Sequence, residues 1–339
     1  NLDNPGDAYN NLEIATSSIT NTGQNITGSN SGQVAMGQEN GLDTLGVSLP
    51  RSTVTLTNNN GTISLGGASS VGIYASNGEI YNNGTSKINM SGDGSIGIYA
   101  ANGSKVDTAA GTEINIGKNG VGIYAEGWKQ GVAQAFGNGQ LDIKNSGLIK
   151  SGTGTNAIGI YLNNNSRVAT AKSNGTIDVS ASEGGIGVYV DKGTVIDSGS
   201  TITVGKNGIA LYAKDGRVSF NNATINLYGD NALGLYLDGI SSLATTGTNT
   251  ININGQNVVL FNMASSGTVA NNFTVGTVAA GSSYSLGNIV NGAFNYTGSS
   301  VLSSNGVLVS GKTSSIFLNG STITVNPGST NVAAIALDG

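Results

Sequence analysis

Apolar residues along this chain fall in short runs that alternate with polar ones, and the runs recur roughly every 25 positions. The clearest are the pairs Ile63/Leu65, Ile88/Met90, Ile114/Ile116, Ile177/Val179, Ile202/Val204, Ile225/Leu227 and Ile251/Ile253. A second run is built on the phrase Gly-Ile-Tyr-Ala and carries Tyr74, Tyr99, Tyr124, Tyr161, Tyr189, Tyr212 and Tyr236. Most of these tyrosines lie 23 to 28 residues apart. A third, shorter run follows each tyrosine and holds one Val or Ile: Ile80, Val106, Val168, Val195 or Val218. Alternation with a period of two predicts strands, and no run is long enough for a helix.

Three strands per period predict one coil of an all-β solenoid, a right-handed parallel β-helix whose coils pair only with the coils above and below. Repeats of ~25 residues over 339 residues give about 13 coils. At about 4.8 Å per coil they would form a rod of roughly 60 Å. An antiparallel sandwich fits less well, because hairpins do not require residue identity to recur at a fixed long period. The expected organisation is one continuous segment, 1–339. It has irregular coils over 1–50, regular coils over 51–262 and degenerate coils over 263–339.

Alternation also assigns faces. Val71, Ile73 and Ala75 are expected inside, with Gly72 and Tyr74 outside, so that the rings form an external ladder lying over a column of glycines. An eighth copy of the phrase, Val258 to Asn262, is aligned with Phe261 in the tyrosine position. The 54 glycines and three prolines suit tight turns without removing ladder donors.

Charge narrows the function. The chain has no cysteine and no histidine, which removes thiol nucleophiles, disulfides and the commonest general base and zinc ligands. A net charge of -5 with scattered lysines offers no basic stripe for nucleic acid, and no apolar stretch is long enough for a spanning helix. Six residues before the tyrosines stand Asp93 and Lys118, then Glu183, Lys206 and Asp230; two residues after them stand Asp191, Lys214 and Asp238. Alternating signs on adjacent coils would fix register, with Asn207, Asn231 and Gln256 continuing as a polar ladder. Glycoside hydrolysis needs two carboxylates about 5 to 10 Å apart. Here lysines separate the stacked acids, and Asp107 and Asp197, aligned as equivalents, lie several coils apart. No tandem calcium-binding nonapeptide is present, and no catalytic residue, cofactor or metal site is assigned.

The period breaks once in the regular region. Tyr124 and Tyr161 are 37 apart, leaving an inserted loop at 126–140 with the single tryptophan, Trp128, beside Lys129 and Phe136. An insertion in a solenoid leaves the rod as a loop, and aromatic-plus-basic loops favour partner contact. The candidate contact residues are therefore Trp128, Lys129 and Phe136 with Tyr99, Tyr124 and Tyr161. The chain begins without methionine and stops at Leu337-Asp338-Gly339, matching Leu237-Asp238-Gly239, so it reads as a piece of a longer solenoid.

Tandem Gly-Ile-Tyr-Ala coils with Gly-Thr-Ile-Asp-Val and Gly-Lys-Asn-Gly phrases resemble the passenger of fusobacterial type V (autotransporter) outer-membrane adhesins of the RadD-like group. The resemblance is strong over Ser69 to Asn262 and loose elsewhere. It implies bacterial cell-surface display on the extracellular side of the outer membrane, with a membrane barrel C-terminal to this segment. It also implies attachment to a host-cell receptor or glycan, or to a partner bacterium. No binding motif transfers residue by residue. The competing expectations are a passive stalk that presents a distal tip and a β-helical polysaccharide-degrading enzyme.

Overall fold

The computed structural model describes residues 18–39, 55–127, 142–163, 170–302, 306–312, 314–318, 320–325 and 332–338. All regular structure among them is strand, in three long parallel sheets of twelve, ten and twelve strands. Each sheet takes every successive coil in chain order, so the chain is a parallel β-helix. Sheets of this size place the coil number below the thirteen expected. The shortfall follows from insertions: Asn21 pairs with Asn58 and Tyr124 with Tyr161, spending 37 residues on one step.

The third sheet carries the tyrosine phrase. Its strands Val71–Ser76, Ile96–Ala101, Val121–Glu126, Ile158–Asn163, Ile186–Asp191 and Ile209–Lys214 stack with identical residue types in register. Ile73, Ile98, Ile123, Ile160, Val188, Leu211 and Leu235 thus form one column, and each is 3% exposed or less. The second sheet supplies the facing column from Ile63 through Ile88, Ile114, Ile149, Ile177, Ile202 and Ile225 to Ile251. Burying each such side chain stabilises by roughly 1.5 to 3 kcal/mol. The aliphatic core becomes aromatic further along, where Phe220, Phe261, Phe273, Phe294 and Tyr296 pack with ring centroids 5.4 to 6.4 Å apart.

Four alignments made from sequence are corrected here. Gly72 faces inward: a Cβ there would sit 2.8 Å from Ile88 Cγ2 and 2.6 Å from the Gly97 carbonyl oxygen. Gly97, Gly122, Gly159 and Gly187 are equally confined, so this column lets the anchor strand lie close to the isoleucines of the second sheet and does not underlie the rings. Val71 is half-buried instead, and pairing skips Gly72, so strict alternation fails at that point. Second, Phe261 pairs with Leu235 and is 2% exposed, and Asn262 stands opposite Tyr236. Third, Asp107 pairs with Lys144 on the outside, whereas Asp197, 2% exposed, follows Ser173 in an inward column. Fourth, the polar turn ladder continues through Asn257, not Gln256. Asn119, Asn156, Asn207, Asn231 and Asn257 share the left-handed conformation, with φ between 51° and 58°. Asparagine tolerates that region, and its amide reaches the coil before it: Asn119 donates to Asp93 at 2.7 Å and Asn231 to Asn207 at 3.1 Å.

Candidate functional site: the tyrosine face

Parallel in-register pairing brings identical side chains one above another, and seven tyrosines follow. Tyr74, Tyr99, Tyr124, Tyr161, Tyr189, Tyr212 and Tyr236 pair in succession, half-buried, with neighbouring ring centroids 4.6 to 5.2 Å apart. The ladder changes character along its length. Tyr74, Tyr99, Tyr124 and Tyr161 meet edge to face at 73° to 81°, whereas Tyr189 and Tyr212 are stacked at 18°. Both geometries avoid a face-to-face clash of ring quadrupoles by turning or offsetting.

Two residues after each tyrosine, the strand ends in a polar side chain that meets the phenol of the coil before it. Tyr99 donates to Glu126 Oε1 at 2.7 Å, Asn163 donates to the Tyr124 oxygen at 3.0 Å, and Tyr212 donates to Asp238 Oδ2 at 3.3 Å. Asp191, Lys214 and Asp238 stand in register along this rim, and no ion pair links them among the described residues. The acidic rim and partial burial hold the phenols protonated. Burial, then the hydrogen bond to Glu126, raises Tyr99 far above its ordinary value. Burial, neighbouring phenols and Asp191 push Tyr161 up to about 12, and burial and Asp238 do the same for Tyr212.

Of the residues singled out from sequence, Tyr99, Tyr124 and Tyr161 are thus consecutive in one ladder. Trp128, Lys129 and Phe136 lie outside the described residues. Sequence reading missed Glu126 and Asn163 as phenol partners, assigning the first to the loop. Their signal was the constant offset of two from the tyrosine.

The charge column ahead of the tyrosines behaves as expected. Lys118 meets Asp93 at 3.5 Å and Lys206 meets Glu183 at 3.0 Å, all four well exposed. Asn119 and Lys118 hold the Asp93 carboxyl below its usual range, and Lys206 does so for Glu183. Asp197 is different. Buried, it accepts from the Ser200 hydroxyl and from the Gly199 and Ser200 amides, and desolvation raises its pKa. That is a turn-closing role. Among the described residues no cluster of three or more His, Cys, Asp and Glu could hold a metal, and no helix is long and apolar enough to cross a membrane.

No family model, curated protein or solved structure matches this chain. What defines it is the parallel β-helix with an external tyrosine ladder.

Proposed function

We propose that this chain is the passenger segment of a bacterial cell-surface adhesin, displayed outside the outer membrane and using its tyrosine face for attachment to host cells or other bacteria. The observation that carries the reading is the unbroken row of seven half-buried rings with a polar rim, repeated once per coil. Aromatic side chains with one wet end are the residues that contribute most at contact surfaces. The sequence resemblance to autotransporter adhesins supports the same reading.

A non-enzymatic role is favoured by where the acids stand. Glu183 and Asp93 each face a lysine, Asp107 faces Lys144 at 3.4 Å, and Asp197 is enclosed in its own turn. Two depressions, of about 390 and 630 Å³, have no carboxylate among their lining residues. The stalk reading rests on a different fact: the phenols of Tyr99, Tyr124 and Tyr212 already have partners in their own rod.

Purified 1–339 applied to host cells and to partner bacteria separates these. Saturable attachment that falls when Tyr99 and Tyr124 are both changed to Ala supports the adhesin reading. Absence of attachment to every surface tested leaves the rod a spacer. Release of sugars from polysaccharide would restore the enzyme reading.

A further inference from the structure

The first four rungs of the ladder differ from the rest in a way that bears on what they recognise. From Tyr74 to Tyr161 successive rings turn by 73° to 81°, so no two neighbours present the same aspect and the pattern repeats every second coil. The steps are 5.2, 4.9 and 5.0 Å. An extended peptide advances about 3.3 Å per residue and cannot place one side chain per rung. A β-(1→4)-linked pyranose chain advances roughly 5 Å per sugar, by ordinary bond lengths near 1.5 Å, and flips its units alternately. It matches both the step and the two-coil repeat.

The rim selects the kind of sugar chain. Beside these rungs lie the Glu126 carboxylate and the Asn163 amide, which can accept from and donate to hydroxyls. Asp191 follows on the next coil, and the chain carries a net charge of -5. Uronic or sulfated chains would be repelled. Neutral ones would not.

We infer that Tyr74, Tyr99, Tyr124 and Tyr161, with Glu126 and Asn163, form a linear site for a neutral β-(1→4)-linked glycan lying along the rod axis. The stacked pair Tyr189 and Tyr212 lacks the alternation and serves as scaffold. This inference rests on the adhesin reading and names the chemistry of its partner.

Calorimetric titration of the whole chain with cello- and chito-oligosaccharides of one to six units tests it. Affinity should climb several-fold with each added sugar and level off at about four, the number of alternating rungs. Tyr99→Ala with Tyr124→Ala should weaken the longest oligomers about tenfold or more, and Tyr189→Ala with Tyr212→Ala should change them less than about twofold. If the first pair unfolds, Glu126→Gln with Asn163→Ala decides: a several-fold loss with unchanged melting supports the site, and unchanged affinity overturns it. Binding that ignores oligomer length, no binding to either series, or equal binding to heparin also overturns it. Cell attachment by a rod that takes up no oligosaccharide would remove this inference and leave the adhesin reading intact. Oligosaccharide binding without attachment to any cell would do the reverse.

Discussion

At the residue scale the anchor strand is governed by contacts that leave no slack. Ile123 is fully buried and Ile240 is 75% exposed, so the same change has opposite consequences. Ile123→Ser should cost about 2 to 5 kcal/mol through lost burial, a cavity and an unpaired hydroxyl, whereas Ile240→Ser should stay within about 0.5 kcal/mol. Equal melting temperatures for the two variants would refute the inward assignment. Gly97→Ala is a sharper test of the inward glycine column. The new methyl would meet Ile114 Cγ2 at 2.6 Å and the Gly122 carbonyl oxygen at 2.7 Å. A loss of about 1 to 3 kcal/mol is expected. A neutral result in urea unfolding would show that the sheets can separate there, as they must where Ala210 already occupies the equivalent place.

Titration also belongs to single residues. Tyr161 and Tyr212 ionise near 12 in the folded rod against an ordinary 10.0. A raised folded value means that their stabilising effect is complete below pH 10 and is lost as pH rises through 12. Alkaline melting in that window is the expected outcome. Phenolate absorbance should appear in two groups, with the ladder tyrosines last. A single transition near 10.0 would contradict the desolvated ladder.

At the scale of elements, register is set by columns outside the core. Lys206 bridges towards Glu183 and stands one coil before Asp230, whose carboxylate accepts from the Gln256 amide at 2.8 Å. Lys206→Glu would align acids on three adjacent coils. All of these groups are exposed, so the destabilisation should be small and should shrink as salt rises from low to moderate ionic strength. A salt-independent loss would assign the effect to something other than charge. Inside the first sheet the same task falls to amides: Asn21 donates to Asn58, and Asn58 to Asn82, each at 3.0 Å and buried. Amide ladders of this kind work only when coils are in register, so a one-coil slip would strand several buried polar groups at once.

On the scale of the molecule, stability is a sum of coils and of the interfaces between them. The step from Tyr124 to Tyr161 therefore tolerates shortening. Removing 128–139 would return that spacing to 25, the value between Tyr99 and Tyr124. Far-ultraviolet circular dichroism and melting should change little. Attachment kept by this variant would place contact on the tyrosine face, and attachment lost with the fold intact would place it in the removed loop.

Much of this rod was legible in the chain. A period near 25 with three alternating runs determined a parallel β-helix, because only stacking of successive coils uses a repeat of that length. It determined the tyrosine ladder for the same reason, and the exposed Lys–acid pairs, since in-register pairing turns identical spacing into contact. What the tertiary structure alone decided was which way a residue faces once alternation breaks. The inward glycines, the one-residue offset that buries Phe261, and the opposite faces of Asp107 and Asp197 all depend on the other two sheets of the coil. So do the partners of the phenols, Glu126 and Asn163, because each comes from the following coil. A repeat fixes neighbours along the rod axis; only packing across the coil says how deep each residue lies.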